Sequence, residues 1–188
     1  SFHDAISFSR QSIFPTKPES ALFENGKEGH GMRILHTADL HLGRQFNGIA
    51  LDDDYQTVLD QIVAATMAEQ PQALIIAGDL FARAAPPASA VRQFNAFLTR
   101  IARETDAAVI IIAGNHDSAD RVAFGSALLA ESRVYVSPVF SGPPEPITLT
   151  DAHGPVDLYL LPFLKPAMVR HVWPGAPLES YNDALSCL

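Results

Sequence analysis

Asp39-Leu40-His41, Gly78-Asp79 and Gly114-Asn115-His116-Asp117 bring carboxylate, imidazole and amide side chains together in three short clusters. Carboxylate, imidazole and amide groups are hard oxygen and nitrogen donors, the set that takes divalent cations. Asp39 and His41 are one residue apart, so in an extended segment both side chains leave the same face and can chelate one ion. Asp79 occupies the middle cluster, where a carboxylate shared by two ions would have to be. Asn115 offers a neutral amide oxygen for a second ion, and His116 beside it can serve as an acid or bind a phosphoryl group. Two divalent ions about 3.5–4 Å apart generate hydroxide near neutral pH and neutralise phosphoryl charge. Cleavage of a phosphate ester is the reaction such a set suits. Asp117 can either orient His116 or satisfy backbone amides of its own turn.

The clusters need elements to carry them. Each follows a short run of β-formers, over residues 33–38, 73–77 and 108–113. In the second and third, Leu74-Ile75-Ile76 and Val109-Ile110-Ile111-Ile112 are apolar without alternation, as in parallel strands covered on both faces. Between the first two, Asp52, Asp53 and Asp54 open a predicted helix, their charge complementing the positive end of the macrodipole. Tyr55, Val58, Leu59, Ile62, Val63 and Thr66 form its apolar face, and Pro71 ends the region. Pro86-Pro87 marks the start of a second helix with Val91, Phe94, Phe97, Leu98 and Ile101 as its stripe. Arg92, Arg100 and Arg103 fall mostly off that stripe and read as a solvated face. A polar, glycine-containing loop is expected between the first cluster and Leu51. The order is βαβαβ, an α/β class with the donors at strand carboxyl ends, where open sheets bind ligands.

Beyond Gly114 the pattern predicts a helix over residues 120–131 and a short strand over 133–136. A Pro/Gly-rich loop follows, then two strands over 146–150 and 156–161, joined by a turn through His153-Gly154. Pro162, Pro166, Pro174 and Pro177 break the remainder into short pieces. The first 31 residues lack periodicity and read as a leader outside the domain, unordered or added upstream, with Met32 as the natural start.

Composition narrows the class. The 188 residues, 47% hydrophobic, can bury a real core. A net charge of −8 argues against a surface that holds nucleic acid by charge alone, although bound cations would add local positive charge. Cys187 is the single cysteine, which excludes an internal disulfide and a cysteine-rich zinc site and fits the cytoplasm. No apolar run approaches the roughly 20 residues that span a membrane.

Together the three clusters resemble the first three signatures of the calcineurin-like metallophosphoesterases. Met32-Arg-Ile-Leu-His-Thr-Ala-Asp-Leu-His-Leu-Gly43, Ala77-Gly-Asp-Leu-Phe81 with Pro86-Pro87, Ala113-Gly-Asn-His-Asp-Ser118 and Leu161-Pro-Phe-Leu-Lys-Pro166 are similar to segments of the SbcD-type bacterial nuclease branch. The resemblance spans about residues 32–170. It implies the layered metallophosphoesterase fold, Mn²⁺-dependent cleavage of DNA ends and hairpins in DNA repair, and an SbcC-type ATPase as partner. A homodimer is compatible with it. By position it implies that Asp39 and His41 hold one metal, Asp79 bridges, Asn115 holds the second and His116 is catalytic.

Two departures qualify the resemblance. Ala82 stands where an acidic residue or histidine is often found, which is not a core ligand of the family. The family also completes its site with three histidines, from a Gly-His and a later Gly-His-x-His segment, and neither follows the third cluster before Leu188. Residues 32–188 are therefore expected to be the amino-terminal part of the nuclease domain, incomplete at its carboxyl end and inactive in isolation. His153 and His171 read as surface residues and His36 as a structural one. The competing readings are a non-catalytic fragment of that domain, or a phosphatase or cyclic-nucleotide phosphodiesterase using the same metal pair. The metal itself could be Mn²⁺, Fe²⁺, Zn²⁺ or Mg²⁺ on donor chemistry alone.

Overall fold

Short strands of four or five residues, rich in aliphatic side chains, pair into a parallel sheet that is covered on both faces. In the computed structural model, which describes residues 6–7, 31–176 and 178–188, these are β2 (Ile34–Thr37), β5 (Ala73–Ala77) and β6 (Ala108–Ile112). A fourth parallel strand, β7 (Val134–Val136), follows, and β1 (Ile6–Ser7) lies antiparallel on the far edge, giving the order β1-β2-β5-β6-β7. The register sets Leu35, Leu74 and Val109 side by side, and Thr37, Ile76 and Ile111 two residues on. The fold is the expected α/β class with a βαβαβ centre. Of the leader, Ile6, Ser7 and Gly31 lie within the described residues.

The strand order advances in one direction, so successive crossovers place both long helices on the same face. These are α1 (Asp52–Glu69), with three aspartates in its first turn, and α2 (Ala88–Glu104), which starts after Pro87. Tyr55, Leu59, Ile62 and Val63 of α1 and Phe94, Phe97 and Ile101 of α2 pack on Leu35, Leu74, Ile76, Val109 and Ile111. Val91, read as part of the α2 stripe, is 46% exposed; Ala90 is buried in its place. Arg100 does not simply face solvent, since it bonds Asp60 of α1 and Glu104 one turn on. The opposite face of the sheet is covered by the hairpin of β8 (Pro146–Asp151) and β9 (Gly154–Tyr159), with Ile147, Leu149 and Leu158 against Ile110 and Ile75.

Two elements differ from the sequence expectation. The polar loop before Leu51 contains a hairpin, β3 (Gln45–Phe46) and β4 (Ile49–Ala50), turned by Asn47 and Gly48 at φ 50° and 79°. Left-handed φ at both central residues suits a type I′ turn. The helix over 120–131 is two short ones, α3 (Ala119–Val122) and α4 (Ser126–Ala130), because Gly125 takes φ 72° between them. The carboxyl end holds α5 (Pro166–Val172) and α6 (Tyr181–Ser186), packed around Leu164, Val169, Leu178 and Ala184. No helix among the described residues is long and apolar enough to cross a membrane.

Candidate metal centre

The carboxyl ends of β2, β5 and β6 are neighbours because the strands are parallel and in register, so the loops that leave them meet. Backbone hydrogen bonds continue past the strands. Gly78 N donates to Ile112 O at 2.9 Å, Asp39 N to Gly78 O at 3.1 Å, and His41 N to Asp79 O at 2.9 Å. Leu42 N then donates to Leu80 O at 3.0 Å, and Ala82 N to Leu42 O at 3.0 Å. The first two loops are zipped together for four residues beyond the sheet.

The segment from Asp39 to His41 is not extended. Asp39 and His41 have φ of 55° and 48°, so the same-face argument for their chelation does not describe this backbone. Their proximity comes from the zip to the β5 loop, where Gly78 and Asp79 are also left-handed at φ 87° and 46°. Asp and His tolerate this region better than most residues. Each such residue still costs about 1–3 kcal/mol and persists where its surroundings over-determine it.

The result is a tight donor set. One ligand atom from each of Asp39, His41 and Asp79 lies within 4.8 Å of the others. His41 Nε2 is 3.7 Å from Asp39 Oδ1 and 3.8 Å from Asp79 Oδ2, close enough for a shared ion but beyond hydrogen-bonding distance. Asp79 is 7% exposed and accepts one hydrogen bond, from His116 N to Oδ1 at 2.9 Å. A buried carboxylate beside a second carboxylate is costly without a compensating cation. The donors thus fit a divalent ion on their own chemistry.

The third loop closes the site. Gly114 has to lack a side chain, since a Cβ there would lie 2.1 Å from Asp79 N and 2.2 Å from Asp79 Oδ1. Asn115 and His116 are exposed at the same edge. The His116 ring stands edge-on to that of His41, with centroids 5.1 Å apart. Asn115 lies between Gly114, whose amide bonds Asp117, and His116, whose amide bonds Asp79. Asp117 does not orient His116: its carboxylate accepts from the amides of Leu80, Phe81 and Gly114 at 3.0, 2.9 and 2.9 Å. This decides between its two roles in favour of the backbone.

One contact at this edge is invisible in side-chain types. His116 Nδ1 is 3.3 Å from Ala82 O. A carbonyl only accepts, so Nδ1 carries the proton and Nε2 is the nitrogen left for chemistry. Residue 82, whose side chain is a methyl group, makes the contact through its backbone. His153 and His171 are exposed, in the β8–β9 turn and on α5, away from the three strand-end clusters in sequence; His36 is half-buried in β2.

The comparisons with known proteins agree with this architecture. The family model for the calcineurin-like phosphoesterase matches residues 32–177, and the chain belongs to that family. Among curated relatives, the D subunit of the SbcCD nuclease from Staphylococcus saprophyticus is 33% identical over 155 residues, covering 82% of this chain and 40% of that protein. Its namesake in Staphylococcus epidermidis is 32% identical over 158 residues, covering 84% of this chain and 41% of that protein. The chain spans about two fifths of the length of these relatives.

Proposed function

We propose that this chain is the amino-terminal part of a DNA nuclease domain that hydrolyses phosphodiesters with two divalent ions, Mn²⁺ by resemblance. The observation that carries the reading is the convergence of Asp39, His41 and Asp79 at neighbouring strand ends, with donor atoms within 4.8 Å. In this reading Asp39 and His41 hold one ion, Asp79 bridges and Asn115 holds the second. Bound there, the ions would lower the pKa of a water and neutralise charge on the phosphoryl oxygens. His116 is the proton-transfer group. Its Nδ1–H is committed to the Ala82 carbonyl, so Nε2 takes up and releases the proton, and its exposure leaves it open to substrate.

The nuclease reading is favoured over a phosphatase or cyclic-nucleotide phosphodiesterase by the relatives, both named as the D subunit of SbcCD. DNA and an SbcC-type ATPase are then the partners, with a second copy of the chain as a further one, and DNA-end processing in the cytoplasm is the setting. Four donors and one histidine are fewer groups than the family's complete site, so the isolated chain turns over little or not at all.

The test is cleavage of linear and hairpin DNA by the full-length protein with Mn²⁺. Activity that disappears in Asp79→Ala and His116→Ala supports the reading. Activity on phosphomonoesters or cyclic nucleotides but not on DNA would replace it with the alternative.

A further inference from the structure

The second and third loops each give an aspartate to the other's backbone. Asp117 Oδ2 accepts from Leu80 N and Gly114 N, and Oδ1 from Phe81 N, at 3.0, 2.9 and 2.9 Å respectively. In return, Asp79 Oδ1 accepts from His116 N at 2.9 Å. Amide bonds to an ionised carboxylate are roughly twice as strong as neutral ones. Gly114 makes the clasp sterically feasible, since a Cβ there would collide with Asp79. The clasped segment begins directly after Gly78 and Asp79, whose left-handed φ needs outside support.

We propose that Asp117 is a positioning residue for the metal centre: its carboxylate locks the turn over residues 78–81 and thereby aims the Asp79 carboxylate at the shared-ion position. The inference rests on the metal-site reading above and adds a residue that contributes no ligand. Its two oxygens are committed to three backbone amides, so its work is done through Asp79. Asparagine at 117 is nearly isosteric but has only one acceptor oxygen. Its NH₂ group would confront one of these amides with a donor.

The experiment compares Asp117→Asn with Asp120→Asn in the full-length protein. Asp120 is exposed three residues on, so the second variant removes the same charge without touching the clasp. Hydrogen exchange on the metal-free protein should show faster exchange at Leu80 and Phe81 in Asp117→Asn only. Mn²⁺ affinity, read by electron paramagnetic resonance, should fall about 10–100-fold, the usual effect of losing a group that orients a ligand. The turnover number on DNA should fall in parallel while KM stays within about twofold. In the unmutated protein the same amides should be protected. Unprotected Leu80 and Phe81 amides there, or Mn²⁺ affinity equal in the parent and both variants, would overturn the proposal, and the first of these holds even if Asp117→Asn does not fold. Weakened Mn²⁺ binding in a protein that cleaves no DNA would keep the positioning role and remove the nuclease reading.

Discussion

His116 donates its backbone N–H to Asp79 Oδ1 at 2.9 Å, so the residue proposed for proton transfer and the one proposed to bridge the ions are joined without either side chain giving up its reactive nitrogen or its second oxygen. Asp79 Oδ2 remains directed toward His41, 3.8 Å from Nε2. One backbone bond thus fixes the spacing of the two groups and leaves both available.

Asp79 is expected to trade stability for function. Asp79→Asn keeps an oxygen for the His116 amide but removes a buried charge beside Asp39. At pH 8, metal-free Asp79→Asn should melt no lower than the parent and up to about 2–4 °C higher, the shift that about 1 kcal/mol produces in a chain of this size. Mn²⁺-dependent cleavage should be lost. A drop of several degrees in calorimetry would show that the carboxylate stabilises the metal-free fold.

Gly114→Ala should be costly in spite of its single added carbon. The new Cβ meets Asp79 N and Oδ1 at 2.1 and 2.2 Å, so the loops must move apart, at about 1–3 kcal/mol by the general cost of overpacking. Gly175→Ala, with nothing within 4 Å, should leave denaturant midpoints unchanged. Equal midpoints for both variants would contradict the close approach.

His116→Ala should separate chemistry from binding. Loss of a general acid or base lowers turnover about 10²–10⁴-fold. The His116 amide still reaches Asp79 in the variant, so Mn²⁺ affinity should be retained. A parallel loss of metal would make His116 a ligand.

Acid should release the carboxyl-terminal helix first. Asp183 accepts from Ser180 N and Glu179 N at 2.9 and 3.0 Å, while Ser180 Oγ accepts from Asp183 N at 3.2 Å. The bond with the Ser180 side chain, then those from the Glu179 and Ser180 amides, hold the Asp183 carboxyl below its ordinary range. A depressed folded pKa means that the stabilisation is present in full above about pH 4 and is lost as pH falls through the lower value. Amide protection in α6 should decline over that window, and earlier in Ser180→Ala. Protection that is flat from pH 5 to the acid limit of the fold would show that the capping box does not hold the helix.

Much of this was legible in residue types. Apolar runs such as Val109-Ile110-Ile111-Ile112 cannot be satisfied at a surface, and the stripe from Tyr55 to Thr66 has one helical solution, so the βαβαβ order follows from them. The donors were legible because few arrangements repeat carboxylate and imidazole after three strands. The backbone that aims them was not. Left-handed Asp39, His41 and Asp79 depend on hydrogen bonds between loops distant in sequence, and the Ala82 carbonyl that fixes His116 carries no residue-type signal. Asn47-Gly48 is a hairpin signal in itself, but its two-residue strands offer no periodicity to read. Phe46 and Ile49 are accordingly exposed at 67% and 68% on a turn that reads as polar loop.

In the proposed site Asp79 is shared by two ions. Titrating Mn²⁺ into the metal-free full-length protein under electron paramagnetic resonance tests it most directly. Two ions per chain with the spectrum of a coupled pair are expected, and in Asp79→Ala no coupled pair and at most one ion. A coupled pair that survives Asp79→Ala, or a single ion bound by the unmutated protein, would contradict the claim.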